Sequence, residues 1–351
     1  MISELKRVMK RARFIKNKPL VIPVILKNYL KILILKKPAL RSVELHVTSD
    51  CQCKCTKCSA VNFYNPNTKR MTVEEISKVI NDCYKLGAVN VGITGGEPLE
   101  DERLLDIIKG LNPKKALINL STTGLLLTKE IAIKLKKLKV DTVFISIDSP
   151  DPEEHDKERG IKGCFDKSVQ ALKIARDAGM IVTVNTVFTH DLISSGKYKE
   201  LMNIVKENKA SWNLIYPCFT GGWIKKYDHH DISEEDDKVI KEIEAGNKFA
   251  RNDKSDNYVE YGCPAGVEKI FISQYGDVIP CACIPISFGN VLEEPIKNIW
   301  ERMNKLPEFK ERSKTCNVSL NKKFINKYLE PIKESDQHPV KLKEHPALSG
   351  K

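Results

Sequence analysis

The sequence lacks a secretory signal, an uninterrupted apolar run long enough to cross a bilayer, and any excess of aromatic residues. Aromatic residues make up 7% and hydrophobic residues 41% of the 351 residues, so the chain can bury a sizeable core and wholesale disorder is excluded. Its opening, MISELKRVMKRARFIK, is polar and basic without an apolar stretch before a cleavage site. We therefore expect a cytoplasmic protein.

The most apolar segment, PLVIPVILKNYLKILILKK at residues 19–37, is interrupted by polar side chains. Lys27, Asn28 and Lys31 divide it well short of the roughly 18–20 apolar residues that a membrane-spanning helix needs. These three share one helical face, which leaves two interpretations: a helix packed under the main domain, or an interfacial helix in peripheral contact with a membrane. Pro23 is expected to end or kink this helix early.

The net charge is +12, from 58 Lys and Arg against 46 Asp and Glu. The lysines are spread along predicted helices more than they are gathered in one block. This excess favours mild attraction to anionic lipid or nucleic acid, although a composition that mainly serves solubility also explains it.

Between residues 42 and 220, β-rich runs alternate with helical patterns in about six βα units that show no sequence repeat. TVEEISKVINDCYKLGA (72–88) is one such helix, and Thr72 with Glu75 forms a capping box at its start. Alternating units imply parallel strands joined by right-handed crossovers. The predicted fold class is therefore α/β, a partial (β/α)6 barrel with functional groups at the carboxyl ends of its strands.

Eleven cysteines stand in the sequence, most of them in two clusters. Clustered cysteines in a cytosolic chain bind metal more often than they form disulfides. Cys83, within a predicted helix, and Cys164, just before one, are most simply free thiols.

Four of these cysteines crowd the loop after the first strand, in the stretch SDCQCKCTKCSA. Cys51, Cys55 and Cys58 have the spacing Cys-x3-Cys-x2-Cys. Three thiolates on a four-iron cluster leave one iron open, as a catalytic metal site requires, whereas a structural zinc site needs a fourth ligand. Cys53 is either an ordinary loop residue or that fourth zinc ligand, and His46 is a poorer candidate for it.

The segment TGGEP (94–98) follows the second predicted strand. Gly95 and Gly96 allow the backbone to approach a ligand closely, and Glu97 offers an acceptor for an amine. Together with the three-cysteine loop, this segment makes the chain resemble the radical S-adenosylmethionine (SAM) superfamily over about residues 42–220. A small C-terminal Fe–S domain completes the architecture that the resemblance implies.

The resemblance implies that the three spaced cysteines bind a [4Fe–4S] cluster whose open iron is chelated by SAM. It also implies that the Gly-Gly-Glu segment holds the SAM amino group. The remaining SAM contacts that it implies are Thr123, Ser146, Arg159 and Asn185. Threonine at the first of these positions replaces the family's asparagine. The alternatives are a surface salt bridge of Arg159 with Asp151 or Glu153, and a hydrogen bond of Asn185 within its strand.

A second cysteine set stands in the last quarter of the chain. Cys263 precedes Gly276-x4-Cys281, within a predicted hairpin that turns at 275–277. This opening resembles the SPASM/twitch auxiliary-cluster domain, although the family's longer cysteine run is absent from the sequence. The resemblance implies one auxiliary [4Fe–4S] cluster held by Cys263, Cys281, Cys283 and Cys316. Cys218 competes with Cys283 for the fourth position, and a zinc site in the same pocket is the alternative.

These patterns divide the chain into five parts. They are a basic amphipathic N-terminal arm (1–41), the barrel (42–220), a linker with one helix (221–255), the auxiliary-cluster domain (256–332) and a flexible tail (333–351). The linker is marked by the polar run GGWIKKYDHHDISEEDD, and the tail, KESDQHPVKLKEHPALSGK, by its unpacked composition.

Radical chemistry on a bound substrate is the activity that the resemblance implies. A one-electron reductant such as ferredoxin or flavodoxin reduces the cluster, SAM is cleaved, and the resulting 5′-deoxyadenosyl radical abstracts hydrogen from the substrate. Modification of a peptide or protein is the first candidate, followed by oxidation or coupling of a small molecule or lipid. A non-catalytic Fe–S electron carrier or a zinc-stabilised binding protein is the alternative of a different class.

Overall fold

The structure of the protein is a computed structural model. It describes residues 18–349, apart from positions 219, 224–231, 256, 259–260, 311 and 336 and the side chain of residue 62. The beginning of the predicted N-terminal arm and part of the predicted linker therefore lie outside the described residues.

Within the described residues, a sheet of nine strands forms the frame of the molecule. In chain order these are β1 Ser42–His46, β2 Asn90–Thr94, β3 Leu117–Thr122, β4 Thr142–Ser146, β5 Ile181–Val187, β6 Ser211–Ile215, β7 Ala250–Arg251, β8 Lys269–Ile272 and β9 Val278–Ile279. Across the sheet the order is β7-β6-β5-β4-β3-β2-β1-β8-β9, and every neighbouring pair is parallel except β8 with β9. The predicted α/β fold with six parallel barrel strands is confirmed.

Helices connect the strands and cover the outside of the sheet. Those of the described part are α1 Val21–Leu33, α2 Val73–Leu86, α3 Leu104–Gly110, α4 Lys129–Lys137, α5 Pro152–Arg159, α6 Cys164–Asp177, α7 His190–Ser194, α8 Tyr198–Glu207, α9 Glu234–Gly246, α10 Ile296–Met303, α11 Pro307–Lys310 and α12 Lys322–Phe324. Helix α2 begins at the predicted capping box, in which Thr72 and Glu75 each accept a hydrogen bond from the other's backbone amide. None of the helices in the described ranges is long and apolar enough to cross a membrane.

Side chains of the strands alternate between the hydrophobic core and the interior of the barrel. On β1, Val43 is fully buried in the core, whereas Glu44 and His46 line an interior cavity. On β2 and β3, Asn90 and Asn119 also line this cavity, and the Asn119 amide nitrogen donates to Asn90 Oδ1 at 2.6 Å. The inward positions therefore give the barrel an interior with many hydrogen-bonding groups.

The C-terminal cysteine region joins the barrel sheet directly. Strand β8 pairs in parallel with β1, placing Ile270 beside Val43 and Ile272 beside Leu45. The predicted hairpin is confirmed, since β8 and β9 pair antiparallel around a turn in which Gly276 has φ 93°. The sequence patterns separated this region from the barrel, whereas the structure adds one of its strands to the barrel sheet.

Helix α1 packs beneath the N-terminal ends of the barrel strands. Asn28 is buried there and donates to the Gly87 carbonyl at 2.7 Å and to the Tyr258 hydroxyl at 2.9 Å. Lys18 is buried as well and pairs with Asp141 at 2.8 Å. Pro23 does not end the helix, because it lies in the first turn, where no backbone N–H donor is needed.

The C-terminal segment is packed, in contrast to the flexible tail expected over 333–351. Strand β11, Val340–Lys341, pairs in parallel with β10, Ile286–Ser287. His345 and Leu348 are almost completely buried, and His345 Nε2 lies 2.9 Å from the Tyr328 carbonyl oxygen. These single anchors have no helical or strand period, so the composition of the segment did not reveal them.

Candidate active site

The four-cysteine loop is fixed to the segment that follows β2. The Gly96 amide donates to the Thr48 carbonyl at 2.7 Å, and the Glu97 amide donates to the Asp50 carbonyl at 2.7 Å. A Cβ atom on Gly95 would stand 2.5 Å from the Thr48 carbonyl oxygen, and one on Gly96 would clash with the Asp50 oxygen. Both glycines are needed because the two loops touch, a reason that adds to the predicted approach of a ligand.

A cavity of about 530 Å³ opens beside this loop. It is lined by all four cysteines of the loop and by Cys281 and Cys283 of the C-terminal set. The other predicted site residues in its lining are Gly95, Gly96, Thr123, Ser146, Arg159 and Asn185. The structure therefore brings the N-terminal cysteines, two of the C-terminal set and most of the predicted SAM contacts to one space, whereas Glu97, Cys263 and Cys316 are not part of its lining.

The surroundings of Cys55 favour its thiolate. A hydrogen bond with the Cys53 thiol, and then the charge of Arg159, lower the pKa of Cys55 to about 6 against the opposing effect of burial. A hydrogen bond with Cys53 also lowers the pKa of Cys51, whereas burial raises the pKa of Cys58. Because the thiolate is the form that binds iron, these surroundings suit a metal-binding loop.

The loop fits an iron–sulfur cluster by its donor chemistry. Its four cysteines carry free thiols that face the same cavity. In the part of the chain that the structure describes, no three His, Cys, Asp or Glu side chains converge on a point as a single ion requires. A loop that offers several cysteine thiols to one cavity suits an iron–sulfur cluster, whose usual ligands are cysteine thiolates.

Cys53 is a buried hydrogen-bonding centre, which neither sequence interpretation of it anticipated. Hydrogen bonds with Cys164, at the start of α6, and with Cys51 and Cys55 raise the pKa of Cys53. The same contact is the main reason that the pKa of Cys164 falls to about 5. The pKa of Cys53 is thus raised where those of Cys51, Cys55 and Cys164 are lowered, a difference that spacing alone does not reveal.

Asp148 connects the cysteine loop to the ends of β4 and β5. Its carboxylate pairs with the Arg159 guanidinium and with the Lys57 ammonium at 3.1 Å, and it accepts from the Val187 amide at 2.8 Å. Burial acts to raise the pKa of Asp148, but the charges of Lys57, Arg159 and His155 hold that pKa well below its usual range. The salt bridge of Arg159 is thus internal, not the surface pairing considered from the sequence.

Glu97 directs its carboxylate at the end of β3. Its oxygens accept from the Thr122 hydroxyl at 2.7 Å, from the Thr123 amide and hydroxyl at 2.8 and 2.6 Å, and from the Leu99 amide at 3.1 Å. The side chain is fully buried. The sequence suggested that the Glu97 carboxylate accepts from an amine of the ligand, whereas in the structure it accepts from Thr122 and Thr123. Contact of Glu97 with SAM therefore stays a prediction.

Ser146 and Asn185 stand side by side in the register of β4 and β5, and both line the cavity. Asn185 Oδ1 accepts a hydrogen bond from Asn213 Nδ2 at 2.9 Å, so the strand hydrogen bond considered from the sequence is present. This bond uses the amide oxygen only. It is therefore compatible with a SAM contact through the amide nitrogen, which stays a prediction.

Cys263, Cys281 and Cys316 form a second group of free thiols. Burial raises the pKa of Cys263 and of Cys281 to about 12, and it also raises the pKa of Cys316. Cys263 and Cys281 both lie near enough to Cys316 for its charge to act on them. Buried thiols of this kind become thiolates when a metal supplies the compensating charge.

The two candidates for the fourth auxiliary ligand, Cys218 and Cys283, are joined as a disulfide with Cα atoms 5.8 Å apart. A disulfide sulfur is not a thiolate ligand. Both residues line the cavity together with Cys281. The assignment of Cys283 as the fourth ligand therefore stays a prediction for the reduced protein, in which either thiol is close to the group.

His46 belongs to the site more fully than the sequence suggested. Its ring is 1% exposed, lines the cavity and lies 6.0 Å from the Phe63 ring and 5.9 Å from the Phe271 ring, between centroids. Neither ring nitrogen has a hydrogen-bond partner among the described residues. Burial lowers the pKa of His46 to about 4, so the neutral ring offers one donor and one acceptor to a bound molecule.

Comparison with models of known protein families agrees with this site geometry. The model of the radical SAM superfamily matches residues 45–205, and the model of SPASM, an iron–sulfur cluster-binding domain, matches residues 263–319. The chain is a radical SAM enzyme. Its cofactors are accordingly SAM, the [4Fe–4S] cluster of the radical SAM domain and auxiliary iron–sulfur chemistry in the SPASM domain.

The radical SAM enzyme is similar to proteins with several activities. The AdoMet-dependent heme synthase of Nitratidesulfovibrio vulgaris is 24% identical over 302 residues, which are 78% of this chain and 82% of that protein. The subtilosin biosynthesis protein AlbA of Bacillus subtilis is 28% identical over 274 residues, 72% of this chain and 58% of that protein. Streptococcus suis SuiB, solved with its precursor peptide SuiA, shares the fold with a TM-score of 0.61 at 20% identity, over 78% of this chain and 67% of that one.

Proposed function

We propose that this radical SAM enzyme modifies a polypeptide by abstracting a hydrogen atom from one of its residues. The observation that carries the proposal is that the four cysteines of the N-terminal loop line the same cavity as Cys281 of the C-terminal set. A substrate bound there lies between the two iron–sulfur sites. Hydrogen abstraction and the removal of an electron can therefore act on the same bound molecule.

The chain's own residues bind and orient the reacting groups. When bound, the reduced cluster supplies the electron that splits SAM into methionine and a 5′-deoxyadenosyl radical. Cys51, Cys55 and Cys58 would hold that cluster, and Gly95 and Gly96, in the same cavity wall, would contact the amino acid end of SAM.

Hydrogen-bonding groups in the barrel interior support a polypeptide substrate. His46, with both ring nitrogens unpartnered in the described structure, lines the cavity together with Asn119 and Asn213. Peptide groups carry one donor and one acceptor each, which imidazole and amide side chains match. Two similar proteins support the same substrate class, since AlbA acts in subtilosin biosynthesis and SuiB was solved with a precursor peptide.

A small molecule is the second candidate substrate. The cavity wall carries cationic side chains together with carboxylates, and Lys269 pairs there with Glu44 at 2.6 Å and with Asp253 at 2.8 Å. The similarity to a heme synthase extends over 78% of this chain. For either substrate we propose that ferredoxin or flavodoxin delivers the electron that starts the reaction.

The activity is tested by SAM cleavage in the purified chain. After anaerobic reconstitution with iron and sulfide and reduction with dithionite, the protein is expected to form 5′-deoxyadenosine from SAM, measured by mass spectrometry. Cys55→Ala should abolish the product. Cys83→Ala removes a buried cysteine of α2 that does not line the cavity and should keep the product. Equal product from wild type and Cys55→Ala would refute the assignment.

The substrate class is tested by the origin of the abstracted hydrogen. Extracts of cells that encode the chain, grown on deuterated amino acids, are separated into polypeptides and small molecules and offered to the reconstituted enzyme. We expect deuterium in 5′-deoxyadenosine with the polypeptide fraction, and its loss after protease digestion of that fraction. Deuterium transfer from the small-molecule fraction alone would support the second candidate instead.

A further inference from the structure

An apolar stripe faces solvent along helix α1. Ile22, Leu26, Leu30 and Leu33 recur every three or four residues on one side of the helix, with exposed fractions of 43–57%. With Leu20, Ile34 and Leu35 at the two ends, they form what we call the apolar stripe. Only five other large hydrophobic side chains in the described part of the chain are exposed, and they are scattered over residues 61–292. A continuous exposed stripe indicates a binding surface.

The opposite side of α1 is held to the barrel by polar contacts. Lys18 donates to the Ala116 carbonyl at 2.9 Å and to the Lys139 carbonyl at 3.1 Å, beneath β3 and β4. Asn28 binds the Gly87 carbonyl ahead of β2. Rotating the helix to bury the apolar stripe would leave these buried donors without acceptors, which costs about 1–3 kcal/mol for each group. The stripe is therefore fixed in its outward orientation.

The positive charge near the apolar stripe indicates which kind of partner the stripe binds. Residues 1–37 contain eleven Lys and Arg and one Glu, so ten of the twelve net positive charges of the chain belong to its first tenth. Lys27, Lys36 and Lys37 are exposed beside the apolar stripe. A protein partner would match the stripe with apolar groups, but this concentration of positive charge calls for an extended anionic surface. Apolar side chains flanked by lysines are typical of helices that lie in the interface of anionic lipids.

We propose that the apolar stripe of α1 inserts into the surface of an anionic membrane, with Lys27, Lys36 and Lys37 beside it on the lipid headgroups. The proposal goes beyond the proposed activity and does not depend on it. Because α1 lies under the N-terminal ends of β2, β3 and β4, docking through the stripe turns the cysteine loop, at the opposite ends of the strands, away from the lipid.

The test is flotation of the full-length chain with lipid vesicles. We expect binding to vesicles of phosphatidylcholine and phosphatidylglycerol, and much weaker binding to phosphatidylcholine alone or at high salt. The double variant Leu26→Gln/Leu30→Gln should lower the partition coefficient at least about tenfold. The control Ile133→Gln/Leu292→Gln changes residues that are 50% and 49% exposed outside the stripe and should bind as wild type does.

Two results would overturn the proposal. The first is equal flotation of wild type and the Leu26→Gln/Leu30→Gln variant, or no flotation of either. The second is a dimer in sedimentation velocity that this variant loses while vesicles leave wild type unbound, since the stripe would then join two copies of the chain. An unchanged circular dichroism spectrum and urea midpoint of the variant confirm that it is folded, so failure of membrane binding and failure of the proposed activity are distinguishable.

Discussion

The guanidinium of Arg159 reaches the sulfur of Cys55, with Nη1 3.6 Å from Sγ. These residues are far apart in the sequence, and the hydrogen bonds from the Lys54 amide to the Arg159 carbonyl, 2.9 Å, and from the Thr56 amide to the Glu158 carbonyl, 3.3 Å, hold their segments together. The end of α5 is thus part of the cysteine loop's support. Its positive charge acts on the thiol that the loop presents to the cavity.

Replacing Arg159 should make Cys55 a weaker acid. In the metal-free, reduced protein, Arg159→Gln removes a positive charge that stabilises the thiolate, so the pKa of Cys55 rises from about 6. The pH midpoint of Cys55 alkylation by iodoacetamide, followed by peptide mapping, should move upward by about one pH unit. Arg176→Gln, on the exposed end of α6, is the control, and an unchanged midpoint in Arg159→Gln would contradict the prediction.

Asp148→Asn should destabilise the fold, because it leaves the buried charge of Arg159 without its carboxylate and leaves Lys57 with Glu158 as its remaining carboxylate partner. The expected loss in free energy of unfolding is about 3–5 kcal/mol, measured with urea at neutral pH. Asp106→Asn breaks an exposed pair with Lys109 and should cost no more than about 1 kcal/mol. If Asp148→Asn lost no more free energy of unfolding than this control, the buried pairing of Asp148 with Lys57 and Arg159 would not contribute to stability.

The stabilising effect of Asp148 is also expected to depend on pH. The pKa of Asp148 in the folded chain is held below its ordinary value of 3.8, so the carboxylate stabilises the fold fully above that value. This contribution is lost as the pH falls below 3.8 toward the folded-state pKa. The difference in unfolding free energy between wild type and Asp148→Asn should therefore be constant from neutral pH down to about 5 and shrink in stronger acid. A difference that grows in acid would contradict it.

Glu97→Gln should weaken SAM binding as well as the fold. The new amide group faces the donors of Thr122 and Thr123, which costs about 1–3 kcal/mol of stability. We expect the Kd for SAM to rise at least about tenfold, because a carboxylate facing the SAM amine would be lost. Thr122→Val, which removes one donor to the same carboxylate, is the matched control. Equal increases in Kd would mean that Glu97 acts only by bracing the end of β3.

The fourth auxiliary ligand can be assigned by iron content. After anaerobic reconstitution, Cys283→Ala should hold about four fewer irons per chain than wild type or lose the Mössbauer signature of a fully thiolate-bound cluster. Cys218→Ala should keep both. The reverse pattern would transfer the assignment to Cys218. Unchanged iron in both single variants and in the double variant would leave Cys263, Cys281 and Cys316 as the complete protein ligand set.

Local spacing predicted the centre of the site well. The cysteine loop and the Gly95-Gly96 step each occupy a few consecutive residues, and the rule that parallel strands end at one edge brings them together. Asp148 and Lys57 escaped prediction as a pair because they stand 91 positions apart. Neither belongs to a pattern, and only the packing of the fold places their charges at 3.1 Å.

The orientation of α1 shows another limit of sequence patterns. A helix with three polar residues on one face is expected to turn that face to water. Asn28 is buried instead, because it finds acceptors on Gly87 and Tyr258, which lie 59 and 230 positions away. Hydrophobic periodicity identified the helix correctly, but distant partners decided which side faces out.

Strand β8 gives the SPASM region a structural role in the barrel in addition to its cysteines. A chain cut after the sixth barrel strand would expose the flank of β1, whose backbone amides and carbonyls now pair with residues 269–272. Such an open flank favours association with other chains, and it would belong to the strand that leads into the four-cysteine loop. Attempts to express the catalytic half alone should therefore yield aggregates, and any engineered exchange of the C-terminal region must carry this strand with it.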